Sequence, residues 1–193
     1  NVFNETTGHA DRILFETPIL MYTGLKQLRE LDPKHYRSDT LTLNYDPEEG
    51  LEAAIRRVAD EAVDLVRNHN TVILVLSDRQ IHKGLLPIPA AMAVGAVQKR
   101  LVDEQLRCDS NIIVETASVR DSHQFAVLLG LGATAIYPYL ALETVEQLVE
   151  KGQIELTARE AVVNYRNGIN KGLLKILSKM GISTIASYRC AGL

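Results

Sequence analysis

Four short β-branched runs in this chain end in closely similar chemistry. They are TVILVLSDR (71–79), NIIVETASVR (111–120), ATAIYPY (133–139) and ISTIASYR (182–189). A helix-patterned segment follows each of the first three. Short apolar strands alternating with helical segments are the mark of βαβ units, whose right-handed crossovers set the strands parallel. The predicted class is α/β: a parallel β-sheet of βα units with flanking helices. In such a sheet the carboxyl ends of the strands share one edge, where ligands and neighbouring domains bind. Asp78, Arg79, Glu115, Ser118, Arg120, Tyr137, Tyr139, Ser187, Tyr188 and Arg189 are therefore expected on one face.

The rest of the chain fits around that alternation. Thr40 to Tyr45 alternates with period two and predicts a further strand. Asp46 as N-cap, Pro47 at the first position and Glu48 and Glu49 in the first turn predict a helix over 47–68. Thr23 is the expected cap of an earlier helix reaching about Leu31. An alanine-rich helix from Pro89 to Arg107 and helices near 121–130, 141–151 and 157–180 follow. Gly130, Gly132 and Gly181 stand where helix C-caps are wanted. Residues 1–17 carry no period and predict a linker or arm. Residues 18–193 predict one α/β domain, truncated at its carboxyl end because no helix closes the last strand. The pattern leaves open a partial (βα)8 barrel or an open, doubly wound sheet.

Composition narrows the function classes. The net charge of −3 lacks the basic excess of a nucleic-acid binder. Cys108 and Cys190 lie far apart, no CxxC occurs, and the five His are scattered. Neither a zinc nor an iron–sulfur site is supported. No apolar run reaches membrane-spanning length and no signal peptide is visible, so a cytoplasmic protein is expected. Gly130-Leu131-Gly132 precedes a strand, whereas a phosphate cradle follows one and opens a helix.

Single residues carry weaker signals. Glu115 interrupts an apolar strand, and burying a carboxylate is costly unless it is paired. Arg79, Arg120 or Arg189 is the expected partner, and an ion pair outweighs a catalytic acid. Ser77-Asp78-Arg79 reads equally as a docking or anion-binding cluster and as strand-end capping. His123 beside Asp121 reads as helix-end packing before it reads as a base. Lys171, Lys175 and Lys179 recur at spacing four, a solvated face in an isolated domain and a partner contact in a larger one.

Two long stretches, LSDRQIHKGLLPIPAAMAVGAVQKRLVDEQLRCDSNIIVETASVRDSHQFAVLLGLGATAIYPYLALE and YRNGINKGLLKILSKMGISTIASYRC, resemble the central domain of the large subunit of bacterial glutamate synthases. The resemblance covers nearly the whole chain. It implies a larger enzyme that makes L-glutamate from L-glutamine and 2-oxoglutarate, with ammonia passing through a tunnel from an amidotransferase domain to an FMN domain. It also implies a 3Fe-4S cluster in the large subunit, FAD and NADPH on a small subunit, and an oligomeric assembly. A ferredoxin-linked branch exists beside the NADPH one, and the NADPH branch is the expectation. The implied role of this chain is to join the two catalytic domains and help form the tunnel, with no catalytic, cofactor or metal residue of its own. The family's amidotransferase cysteine, cluster cysteines and FMN glycine motifs have no counterpart positions here. The competing readings are an autonomous small α/β enzyme using Glu115 or His123, and a flavin-binding half-barrel with arginines on the phosphate.

Overall fold

The computed structural model describes residues 13–191; most of the arm expected over 1–17 lies outside them. The frame is a parallel sheet of β1 (Ser38–Thr42), β3 (Ile73–Ser77), β5 (Asn111–Glu115) and β6 (Ala135–Tyr137), in that order. Every residue of β3 is buried, as expected of a strand covered on both faces. β2 (Asn44–Tyr45) and β4 (Leu86–Pro87) form a separate antiparallel ribbon.

The crossover helices are α3 (Leu51–His69), α4 (Ala90–Asp103) and α5 (Ser122–Gly130). All three pack on one face. Val58 and Ala62, Val94 and Val97, and Phe125 and Leu129 cover Leu74, Leu76, Ile112 and Val114 there. Right-handed crossovers between sequential neighbours fall on one side only, whereas a doubly wound sheet reverses its order and carries crossovers on both. Of the two alternatives left open by the sequence, the winding is that of a partial (βα)8 barrel, left unclosed.

The face that a closed barrel would turn inward is covered by α1 (Tyr22–Arg29), α6 (Tyr139–Glu150) and the start of α7 (Ala158–Lys179). Leu25, Leu28, Leu142 and Val162 pack on Ile73, Val75, Ile113 and Ala135. Each such buried aliphatic side chain contributes about 1.5–3 kcal/mol. Farther along α7, Ile169 and Leu173 join the opposite core, so the helix passes around the β6 edge of the sheet. Between α7 and β6 runs Pro18–Leu20, where Leu20 N donates to Ile136 O and Ile136 N donates to Pro18 O, each at 2.8 Å.

The strand expected over 182–187 does not form. α7 stops at Gly181, whose φ is +69°, and Ile182 N returns to Leu177 O. Thr184 then caps the short helix α8 (Ile185–Tyr188), accepting from Ser187 N. The edge of β6 where such a strand would pair is already taken by Pro18–Leu20. The sheet's fourth strand is β1, from the other side.

Helix α3 starts later than the acid-rich turn predicts. Its N-cap is Gly50, and Asp46 instead accepts from Glu48 N in a preceding turn. Asp121 and Thr157 form capping boxes at α5 and α7. Helix α4 ends at Asp103, ahead of a 3-10 turn over Arg107–Asp109. Helix α1 begins after Met21 without a side-chain cap, so Thr23 lies inside it. Among the described residues no helix is long and apolar enough to cross a membrane.

Candidate functional site

Parallel register lines up Thr42, Ser77, Glu115 and Tyr137 as the last row of the face covered by α1 and α6. Glu115 is 3 % exposed. Its Oε2 accepts from Ser77 Oγ and from Arg29 Nη2, each at 2.8 Å, and Arg79 Nη1 lies 3.7 Å from its Oε1. Arg79 Nη2 also donates to Glu143 Oε1 on α6 at 2.7 Å, and the guanidinium sits 4.8 Å from the centre of the Tyr139 ring. Two guanidiniums thus meet two carboxylates, one buried and one partly exposed.

Asp78 is buried, accepting from Thr116 Oγ1 at 2.5 Å and from Ala117 N at 3.1 Å. Asp78 thereby ties β3 to the turn after β5. Ser118 is exposed and its hydroxyl lies 2.9 Å from Thr116 Oγ1.

The phenols at this edge are held neutral. Burial raises Tyr137 above its ordinary value even though Arg79 opposes the shift. Burial, then the negative charge of Asp78, raises Tyr139 further. Burial works to lower Arg79, but hydrogen bonding to Tyr137 and the charges of Glu143 and Glu115 prevail and hold the guanidinium above its usual range.

Arg79 forms a shared wall between two clefts. One, of about 440 Å³, is lined by Tyr22, Tyr137, Glu143, Glu146 and Arg159. The other, of about 500 Å³, is lined by Arg29, Thr40, Thr42, Gln80 and Glu115. Both clefts are mixed in charge, and the hydroxyl–carboxylate pair on the second, Ser77 and Glu115, has its carboxylate already engaged by Arg29 and Arg79. His123 is exposed in the first turn of α5, while Asp121 is engaged by Gln124 N. No group of three potential metal-ligating side chains occurs among the described residues.

The ten residues expected together divide in two. Asp78, Arg79, Glu115, Ser118, Tyr137 and Tyr139 belong to the carboxyl edge. Arg120 follows in the loop to α5, exposed, its backbone O accepting from Tyr165 Oη at 2.9 Å. Ser187, Tyr188 and Arg189 are at the opposite, amino edge, because they lie in α8 and the residue after it rather than on a strand. Tyr188 packs on Gly130 and Arg189 Nη1 donates to Thr134 Oγ1 at 3.0 Å. The partner of Glu115 expected among Arg79, Arg120 and Arg189 is Arg79 together with Arg29. Arg29 lies in the last turn of α1, outside the βα alternation, and no local pattern pointed to it.

Comparison with known proteins agrees in family and in fold. The glutamate synthase central domain family matches residues 1–193. The chain is 38% identical over 183 residues to the NADPH glutamate synthase large chain of Bacillus subtilis, covering 93% of this chain and 12% of that one. It is 37% identical to the chloroplastic ferredoxin-dependent glutamate synthase of Oryza sativa subsp. japonica, covering 97% and 12%. Identity to the NADPH glutamate synthase large chain of Azospirillum brasilense is 35%, covering 100% and 13%. Near-equal identity to both branches marks this segment as common to NADPH-linked and ferredoxin-linked relatives. Among solved structures, a flavocytochrome b2 mutant with benzoylformate superposes with a TM-score of 0.57 at 14% identity, covering 88% of this chain and 37% of that one. At that identity the likeness is one of fold.

Proposed function

Because the chain belongs to the glutamate synthase central domain family, we propose that it is the inter-domain piece of a glutamate synthase large chain and carries no complete active site of its own. In this reading the whole enzyme converts L-glutamine and 2-oxoglutarate to L-glutamate in the cytoplasm with NADPH as donor. FMN and a 3Fe-4S cluster are held by other domains of the chain, and FAD and NADPH by a small subunit. This domain joins the amidotransferase and FMN domains and helps wall the ammonia tunnel.

The carrying observation is the family match over residues 1–193 together with the size of the relatives, of whose length this chain spans about 12%. The geometry is in keeping with it. The carboxyl edge holds charged groups already matched to one another and bordering two clefts, which suits a surface for other domains better than a reaction centre. The residues present do not fit a flavin phosphate: Arg29 and Arg79, the arginines of the carboxyl edge, are engaged by Glu115 and Glu143. Cys108 and Cys190, two exposed thiols, are too few to make the donor set of an iron–sulfur cluster.

The test is a titration of the purified chain with FMN, beside glutaminase and synthase assays on the chain and on the whole enzyme. The expected result is no flavin spectrum and no turnover from the chain alone. Stoichiometric flavin binding or turnover by the chain would overturn the reading.

A further inference from the structure

Charge is distributed unevenly along this chain. Residues 161–193 contain five Lys or Arg and no Asp or Glu, leaving 16 cations and 24 acids, a formal −8, in residues 1–160. The structure sharpens the contrast. Among the described residues, every Lys or Arg engaged in an ion pair lies between Lys26 and Arg100; none from Arg107 to Arg189 is so engaged.

The excess gathers on α7. Lys171, Leu174, Lys175, Ser178 and Lys179 follow the spacing of one helical face and are all exposed. Leu174 is 64% exposed at its centre. The opposite side of the helix, Ile169, Leu173 and Leu177, is buried. Lysines at spacing four repel and weaken a helix by a few tenths of a kcal/mol per pair. Attraction to the negative end of the helix dipole explains Lys179 and helps Lys175, but it fades within the last turn and leaves Lys171 without a reason. It also says nothing of an exposed leucine ringed by ammonium groups.

We propose that this face of α7 is a docking surface for a carboxylate-rich surface elsewhere in the same large chain, with Leu174 as its apolar centre. The occupant follows from charge complementarity and from the relatives' length, about seven-eighths of which lies outside the matched segment. The inference rests on the proposed reading of the chain as part of a larger one. It concerns a surface away from the carboxyl-edge clefts.

Carbodiimide cross-linking of the whole large chain, read by peptide mass spectrometry, tests it without any variant. Lys171, Lys175 or Lys179 is expected to join an Asp or Glu outside residues 1–193. In the same sample these lysines should be acetylated several-fold more slowly than in the denatured chain. Acetylation as fast as in the denatured chain, with no cross-link, would mean a solvated face and overturn the proposal. Cross-links into residues 1–160 of a second copy, distinguished by mixing isotopically labelled chains, would overturn it in favour of self-association. Protection that disappears with nuclease would overturn it in favour of nucleic acid. Synthase activity of the sample is measured first. Its absence strikes the proposed function, whereas an active enzyme with freely acetylated lysines strikes this inference alone.

Discussion

The carboxyl edge of the sheet and the β6 corner of its amino edge hold their arginines in different ways. At the carboxyl edge charge meets charge: Arg29 and Arg79 on Glu115, and Arg79 on Glu143. At the β6 corner of the amino edge charge meets neutral dipoles, whereas Arg37 at the β1 end of the same edge pairs with Asp39 at 2.8 Å. Arg107 donates to the backbone O of Ser110 at 2.7 Å and of Gly132 at 2.9 Å, and to the Gln98 side chain. Arg189 donates to Thr134 Oγ1. Burial, and then the like charge of Arg189, pull Arg107 below its ordinary pKa, with no carboxylate in ion-pairing reach among the described residues. The β6 corner of the amino edge is a seal: Arg107 closes loop and helix ends against one another. The carboxyl edge is a set of exchangeable charges beside two clefts, and Arg79, tight on Glu143 and loose on Glu115, is the member best placed to change partners.

The comparison breaks first at Glu115. Removing one member of a fully buried pair costs about 3–5 kcal/mol. Arg29 and Arg79 each keep about 40% of their side-chain surface and can turn to water, so Glu115→Ala should cost about 2–3 kcal/mol. Glu115→Gln, which keeps an acceptor for Ser77, should lose less. Chemical denaturation of the three proteins measures this. A Glu115→Ala loss no greater than that of an amino-edge variant would mean that the buried charge is not what holds the carboxyl edge.

Gly132→Ala is the amino-edge counterpart. Gly132 has φ +123°, and a Cβ there would stand 2.5 Å from Gln98 Oε1 and 2.8 Å from Gln98 Cδ. Gln98 is the same side chain that Arg107 engages. Backbone strain of this kind costs about 1–3 kcal/mol, and displacing Gln98 loosens the Arg107 seal. Gly132→Ala/Gln98→Ala should recover the steric part and leave the backbone part. Full recovery in the double variant would show that the glycine serves clearance rather than its left-handed backbone.

The sequence revealed the sheet better than it revealed what surrounds it. The strands were legible because β3 and β5 are buried on both faces and carry the apolar runs Ile73–Leu76 and Ile112–Val114. The starts of α5 and α7 fall close to the expected 121 and 157, where Asp121 and Thr157 form capping boxes. Ile182 to Ile185 has strand composition and is no strand, because pairing needs a vacant edge and Pro18–Leu20, far off in sequence, fills it. The same fact moved Ser187, Tyr188 and Arg189 to the wrong edge in the sequence reading. Glu115 announced itself as a carboxylate among apolar neighbours. Arg29 did not, because its helix covers the sheet face that a closed barrel would turn inward, and no periodicity says what covers that face in an unclosed sheet. The α7 lysines were visible as a stripe, but that they form no ion pair among the described residues is a property of the folded surface.

A smaller effect sharpens the contrast, because the carboxyl edge also holds one contact of the amino edge's kind. Tyr165 Oη donates to Arg120 O at 2.9 Å, a neutral donor on a carbonyl that ties α7 to the loop after β5. Burial, with the charge of Asp121, raises Tyr165 from 10.0 to about 12. The unfolded chain releases that proton near 10.0, while the folded chain keeps it up to about 12. Within that window the unfolded state binds fewer protons, so this tyrosine makes stability fall as pH rises. Tyr165→Phe removes the hydrogen bond, worth about 0.5–1.5 kcal/mol at neutral pH, and removes the slope with it. Tyr137 and Tyr139 are raised in the same direction and keep their own slopes in both proteins, so the readout is the difference between wild type and variant. That difference should be largest below pH 10 and shrink toward pH 12 in denaturation curves taken across the range. A constant difference would mean that Tyr165 ionises alike folded and unfolded. The contact would then be a solvent-exposed tether, and the carboxyl edge would rest on its ion pairs alone.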